Sequence, residues 1–327
     1  MHLGDGAITP ECAALTLTAA AAGLGAAGFF ARREPLDRQK LALAVGLGGL
    51  VFAAQAVNVP LLPGSSAHLV GGVLLAWALG PGLGALTMAI VLTVQALALG
   101  DGGLLALGAN ILNMGLMPAG LVAVGCMSAA KCTREGATTP RVLRKASYTL
   151  QNSIATNAVL ATAAVPLAAG MILAETSLFR SAEQLAGFSS FASQMLTTHL
   201  AIGLAEGAAT LALMLALQQL AMKNAERSWR PAMASMVVAI VLTAVVFPWS
   251  SALPDGYEAA AGSSGLASFL LQDPQSWQQS IVSSLQSVIV SEQALVIAAM
   301  LLTALLAGLT ATLVSPHELS AVKVRRS

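Results

Sequence analysis

Long apolar runs broken by short clusters of Lys and Arg recur along the whole chain, and this spacing constrains the fold more than any single motif. Crossing about 30 Å of hydrocarbon takes roughly 20 mostly apolar residues in a helix. Residues 11–30, 41–61, 68–79, 84–99, 104–130, 148–174, 197–222, 233–250 and 294–314 meet or approach that demand. Charged residues fill only 9% of the 327 positions, against about a quarter in soluble domains. Mean hydropathy is +0.77. So few charges cannot hydrate a surface, and most of it must meet lipid. The expected fold class is all-α, a polytopic membrane helix bundle of about nine transmembrane helices. Its third and fourth spans are short and joined by Gly80-Pro81-Gly82, as suits helices packed inside a bundle.

The placement of charge orients the bundle. Arg32, Arg33, Arg38 and Lys40 follow the first span; Lys131, Arg134, Arg141, Arg144 and Lys145 follow the fifth. Lys223, Arg227 and Arg230 follow the seventh, and Lys323, Arg325 and Arg326 follow the last. With the N-terminus outside and the C-terminus cytoplasmic, all of these lie inside, as the positive-inside tendency requires. Arg180 alone falls outside, among Asp101, Glu175, Glu183, Asp255, Glu258, Asp273 and Glu292. Residues 1–10 contain no Lys or Arg, so the charged region of a signal peptide is missing and the first span is expected to stay. Composition shifts near residue 225. Residues 1–225 read as a seven-helix membrane core, and 226–327 as a second region with two spans and an extracytoplasmic loop. That loop, 251–293, is polar and rich in Gly, Ser and Pro, and is expected to be mobile.

Few residues are equipped for chemistry. A net charge of +1 without a basic, aromatic-interleaved patch gives no support for nucleic-acid binding. Cys12, Cys126 and Cys132 lack ligand spacing and read as small apolar helix residues. There is no HExxH helix, no GxxxxGK[ST] loop and no nucleophile–base constellation. The chain is not expected to be an enzyme, and any ATP hydrolysis would fall to a partner.

Four histidines occur, at positions 2, 68, 199 and 317. A free amine at Met1, the amide nitrogen of His2 and the His2 imidazole can close two fused chelate rings on one metal. A second imidazole would complete a square of four nitrogens, a geometry that favours Ni(II) or Cu(II), with Co(II) also able to use it. Spacing alone does not separate this reading from an accidental terminal histidine. His68 opens the third span on the same outer side as the N-terminus, so it can reach that chelate; a helix-end histidine bonded to a carbonyl is the other reading. His317 lies among cytoplasmic charges and reads as solvated.

These residues fall in a recognisable order. Met1-His2-Leu3-Gly4-Asp5-Gly6 with Pro10 resembles the opening of the CbiM/NikM substrate-binding components of energy-coupling-factor transporters for cobalt and nickel. Pro63-Gly64-Ser65-Ser66-Ala67-His68 resembles that family's second ligand segment. Gly100-Asp101-Gly102-Gly103, with Leu107-Gly108-Ala109-Asn110 and Asn113-Met114, is similar to its central motif. His199-Leu200-Ala201-Ile202-Gly203 with Glu206 is similar to its late helix signature. Ser251-Ala252-Leu253-Pro254-Asp255-Gly256-Tyr257-Glu258 resembles the Pro-Asp-Gly-Leu-Glu stretch of the accessory subunit CbiN/NikN, here apparently fused, with Tyr257 in place of Leu.

The resemblance implies metal ligation by Met1, His2 and His68. Asp101, Asn110 and Asn113 would lie on the outer loop over the site, where hydrogen bonding that orients the ligands and ordinary loop or helix capping both remain open. His199 and Glu206 lie seven apart, on one helix face, and Glu206 is the single carboxylate placed inside a span. A polar contact coupling the core helices is the reading preferred for them. Ala19, Gly23 and Ala27 form a small-residue stripe on the first span, suited to a scaffold subunit or to packing within this chain. The expected function is capture of nickel or cobalt as transported substrate, with no resident cofactor. The expected partners are a transmembrane scaffold (T) subunit and ATP-binding (A) subunits in a bacterial-type plasma (inner) membrane. A stand-alone proton-coupled divalent metal transporter using Glu206 is the alternative. The same ligands serve nickel and cobalt.

Overall fold

The computed structural model describes residues 2–34, 36–134, 154–222, 229–271, 276–289 and 291–314. Helix α1 (Pro10–Ala31) starts where Thr9 accepts a hydrogen bond from the Cys12 amide at 3.3 Å, with Pro10 at a position needing no N–H. Helix α2 (Arg38–Ala56) is capped by Asp37, which accepts from the Lys40 amide at 2.7 Å. A short antiparallel hairpin follows, β1 (Val59–Leu62) and β2 (Ser65–Ala67). Next come α3 (Gly72–Leu79), α4 (Pro81–Ala98) and α5 (Leu107–Ile111), which runs through a π-helical turn at Leu112–Leu116 into α6 (Met117–Arg134). Helices α7 (Ile154–Ser177) and α8 (Phe188–Met222) are long and pack along each other. The remainder comprises α9 (Arg230–Val241), α10 (Gly256–Ser263), α11 (Ala267–Leu270), α12 (Ser276–Val288) and α13 (Glu292–Val314).

Among the described residues eight helices are long and apolar enough to cross a membrane, so the chain is a multi-pass helical membrane protein. The expected third span is the difference. Helix α3 has eight residues, about 12 Å at 1.5 Å per residue, because the sequence before it is drawn into β2 and the loop carrying His68. Helix α4 is the centre of the bundle: 72% of its apolar window is buried, against 22% for α1 and for the span at Arg230–Trp249. It contacts α1, α3 and α13. The last two spans lie on α2, whose Gly46, Gly48 and Gly49 face Ala232, Ala307 and Met236, the small-residue surface that close helix packing in lipid requires. On α1 the buried face carries Thr16, Ala20, Ala27 and Ala31. Ala19 is exposed and Gly23 faces Leu116, so the small stripe is turned partly into this chain.

The outer loop at 251–293 was expected to be mobile, yet its described part is fastened to the core. The Ser251 amide donates to Asn58 O at 2.8 Å, and the Ser66 amide to Pro254 O at 2.8 Å, so residues 253–255 lie alongside β2. Asp255 and Glu258 form a reciprocal capping box that starts α10. Tyr257 is buried, edge-on to Phe191 at 5.8 Å between ring centroids, and its hydroxyl donates to Leu270 O at 3.2 Å. Gln278 on α12 donates to Ala96 O at 3.1 Å and Gly102 O at 2.9 Å. Backbone pairing of this kind is invisible in a Gly/Ser/Pro composition.

Candidate metal centre

The chain start is folded back into the bundle by a set of backbone contacts. Asn110, in α5, accepts from the Leu3 amide at 2.9 Å and donates to Leu3 O at 3.1 Å. The Gly103 amide donates to the same Leu3 carbonyl at 2.8 Å, and Asp5 accepts from the Leu105 amide at 2.8 Å. Leu3 is fully buried, which anchors the fold-back by the hydrophobic effect. Arg180 donates to Gly6 O and Ala7 O at 3.1 and 2.9 Å. That contact explains the single outer arginine of the charge pattern.

This fold-back places His2 beside His68. Their rings are stacked with centroids 5.2 Å apart and planes 17° from parallel. Nitrogens on one ion lie about 2 Å from it, hence roughly 3–4 Å from each other, a spacing that rings this close can supply. His2 Nδ1 is 3.1 Å from Asp101 Oδ1, and its side chain is 5% exposed. His2 Nε2 is buried with no hydrogen-bond partner among the described residues. An orphaned ring nitrogen at a buried site is unusual, and Nε2 is not the nitrogen that a chelate with the His2 amide would use. His68, outside the spans, faces the Leu69 carbonyl with Nδ1 at 3.2 Å. Burial pushes its pKa down to about 3, so the ring is neutral at ordinary pH, the form that binds metal. Burial alone would raise the Asp101 carboxyl, but the His2 ring beside it, followed by His68, brings it down to about 2. Asp101 is therefore an anion against His2 Nδ1, the nitrogen through which the fused chelate has to close. A chelate closed through Nδ1 would exchange that contact for a coordinate bond.

The Met1 amine lies outside the described residues, as do residues 135–153, 223–228 and 315–327, with His317. No cluster of three or more His, Cys, Asp or Glu suited to a metal occurs among the described residues. The proposed ligand set needs none, since two of its four nitrogens are main-chain. Cys12 and Cys126 are free thiols in helices.

The other candidate residues divide. Asn110 and Asp101 touch the ligand segment directly. Asn113 does not: it sits in the π-helical turn and donates to Glu175 Oε2 at 2.8 Å, both buried. Asn113 and Asn110 alike lie within a helix, and not on the outer loop as expected, because the helix runs unbroken from Leu107. Glu175 also corrects the reading of Glu206 as the single carboxylate in a span. The apolar run stops at Ala174, but Thr176 bonds back to Ile172 O at 2.8 Å and carries α7 one turn further. Glu206 accepts from the Val70 amide at 2.8 Å and the Gly71 amide at 2.9 Å, so α8 holds the loop just after His68 and caps α3. His199 bonds its own helix, Nδ1 to Met195 O at 2.7 Å, with its ring in a small cavity lined by Ser66, His68 and Gly256. Gln55, whose amide donates to Val70 O at 2.6 Å, was not singled out from sequence. Its signal was a lone amide inside an apolar run.

The fold has known counterparts. Residues 2–224 match the family model CbiM, described as a cobalt uptake substrate-specific transmembrane region. A Haloquadratum walsbyi protein named for metal transport is 45% identical over 111 residues, 34% of this chain and 50% of that one. The fused nickel transport protein NikMN of Rhodobacter capsulatus is 32% identical over 138 residues, 40% of this chain and 38% of that one. These alignments therefore span half or less of the relatives' length. A crystal structure of a transition metal transporter superposes with a TM-score of 0.52 at 25% identity, covering 69% of this chain and 96% of that one. With two thirds of its length matched in one continuous stretch, the chain belongs to the CbiM family of cobalt uptake substrate-specific transmembrane regions.

Proposed function

We propose that this protein is the substrate-capturing membrane subunit of an ATP-driven nickel or cobalt uptake transporter of the energy-coupling-factor type. The observation that carries the reading is the meeting of His2 and His68 from 66 positions apart, with His2 Nδ1, the nitrogen a chelate with the adjacent amide needs, facing Asp101 at 3.1 Å. The ion is taken from outside by the Met1 amine, the His2 amide and imidazole nitrogens and the His68 imidazole, in one plane, the His2 amide giving up its proton to water as the metal binds. A transmembrane scaffold subunit and ATP-binding subunits in the plasma membrane then drive release inward. Planar nitrogen coordination selects nickel and cobalt over magnesium and calcium, which take oxygen ligands.

The test compares protein with its native start, its intact mass verified, with protein extended by a short N-terminal tag. The native form is expected to carry about one nickel or cobalt per chain. The tag consumes the free amine and should abolish binding; a tagged protein of full affinity would contradict the chelate. Uptake in vesicles should need the ATPase partners and survive a protonophore.

Gly103 offers an independent check. A Cβ there would collide with the Asp5 backbone nitrogen and the Gly4 carbonyl carbon. Gly103→Ala should displace the chain start and weaken nickel binding by about 10–100-fold, the usual scale for losing support behind a ligand. Helix content by circular dichroism should stay as in the parent, because the bundle does not depend on this contact.

A further inference from the structure

Outside the His2–His68 pair lies a chamber of about 230 Å³ with walls from both regions of the chain. Gln55, Asn58 and Asp101 come from the core; Asp255, Glu258 and Glu292 come from the C-terminal region. Among the described residues no Lys or Arg lines it. Apart from the two imidazoles and the Gln and Asn amide nitrogens, the polar wall is oxygen acceptors. Two of them are orphaned: Gln55 Oε1 and Asn58 Oδ1 are buried and have no hydrogen-bond partner among the described residues. Gln55 is 1% exposed, and its NH₂ group is held by Val70 O, which leaves the carbonyl oxygen for the chamber. Buried acceptors of this kind call for a donor.

A hydrated divalent cation is such a donor in every direction. Its inner waters turn their oxygens to the metal and their hydrogens outward, and its charge is opposite to that of the carboxylates. Six waters occupy about 180 Å³ at about 30 Å³ each, so the ion fits the chamber with its hydration shell intact. A bare ion is too small to touch these walls, and an organic ligand would want an apolar lining.

We infer that this chamber is an outer loading site for a hydrated divalent cation, held through its waters before the His2 and His68 nitrogens replace them. The inference rests on the transport reading above and gives the C-terminal region a part in it, since three of the four carboxylates in the wall are its own. Binding here depends on charge and hydration and does not discriminate among divalent ions. Selection follows at the nitrogens, where each coordinate bond formed releases one water.

The experiment uses the full chain in detergent and stopped-flow mixing with Ni²⁺. Glu258→Gln combined with Glu292→Gln removes charge while keeping side-chain shape. The association rate should fall about tenfold at low salt, within the range that field focusing supplies, and lose most of its salt dependence. The dissociation rate and the visible absorption of bound nickel should be unchanged, which also shows that the variant is folded. Glu292→Gln alone should give part of the drop. A His2→Ala chain should still bind Mn²⁺ weakly by electron spin resonance, and lose it when the two Glu→Gln changes are added. An unchanged association rate and salt dependence overturns the loading site, as does Mn²⁺ binding indifferent to the carboxylates. Failure of the wild type to bind nickel at all would instead remove the transport reading.

Discussion

His2→Ala is expected to lower nickel and cobalt affinity by more than about a hundredfold, since groups that only orient a ligand are already worth 10–100-fold. The loss removes the six-membered chelate ring, and the rest of the terminus cannot replace it. Stability should hardly change, because the His2 side chain makes one polar contact, to Asp101 at 3.1 Å. The anchor of the chain start is Leu3 with Asn110 and Gly103, which the substitution leaves alone. Metal content after dialysis, together with calorimetric titration, gives the answer. His68→Ala should lose less, since three nitrogens remain and water can take the fourth place. Equal metal content in parent and His2→Ala protein would remove the central proposal.

Glu206→Gln should act through a different route. The two carboxyl oxygens of Glu206 receive the Val70 and Gly71 amides, and Gly71, at φ 77°, takes the left-handed conformation from which α3 begins. An amide side chain offers one oxygen, so one buried N–H is left facing an NH₂ group. That costs about 1–3 kcal/mol, and Glu206→Ala, which strands both donors, about twice as much. The loop ahead of α3 should then loosen, and His68 with it. The measurements are thermal unfolding in detergent and the absorption of bound nickel, which should shift toward that of His68→Ala. A melting point and a spectrum both identical to the parent would show that Glu206 does not position His68.

Much of the site was legible in sequence because its chemistry is local. A chelate made from consecutive backbone nitrogens and the next side chain requires residues 1 and 2 and nothing else. The ordered motifs then supplied His68, Asp101 and Asn110, each of which lies against the chain start or its ligand. Asn113 shows the limit of the same reasoning. The resemblance implied an outer loop for Asn110 and Asn113 alike, but both lie in one helix, and a turn beyond Asn110 the Asn113 side chain meets Glu175 of α7. Glu175 itself went unread because hydropathy ends a span at the last apolar residue, whereas hydrogen bonding ends the helix.

By itself the sequence determined that this chain lives in lipid, that it is helical, and where most of its spans lie. Those properties follow from the cost of leaving backbone groups unpaired in hydrocarbon, which every residue pays in the same way. Only the tertiary structure decided that the eight residues of α3 stop short of a span, that Glu206 caps them from α8, and that the C-terminal loop is bonded to β2 instead of free. Each of these depends on contacts between segments far apart in the chain, in which a backbone N–H finds its acceptor on a distant carbonyl or carboxylate. No side-chain alphabet announces which of them will meet.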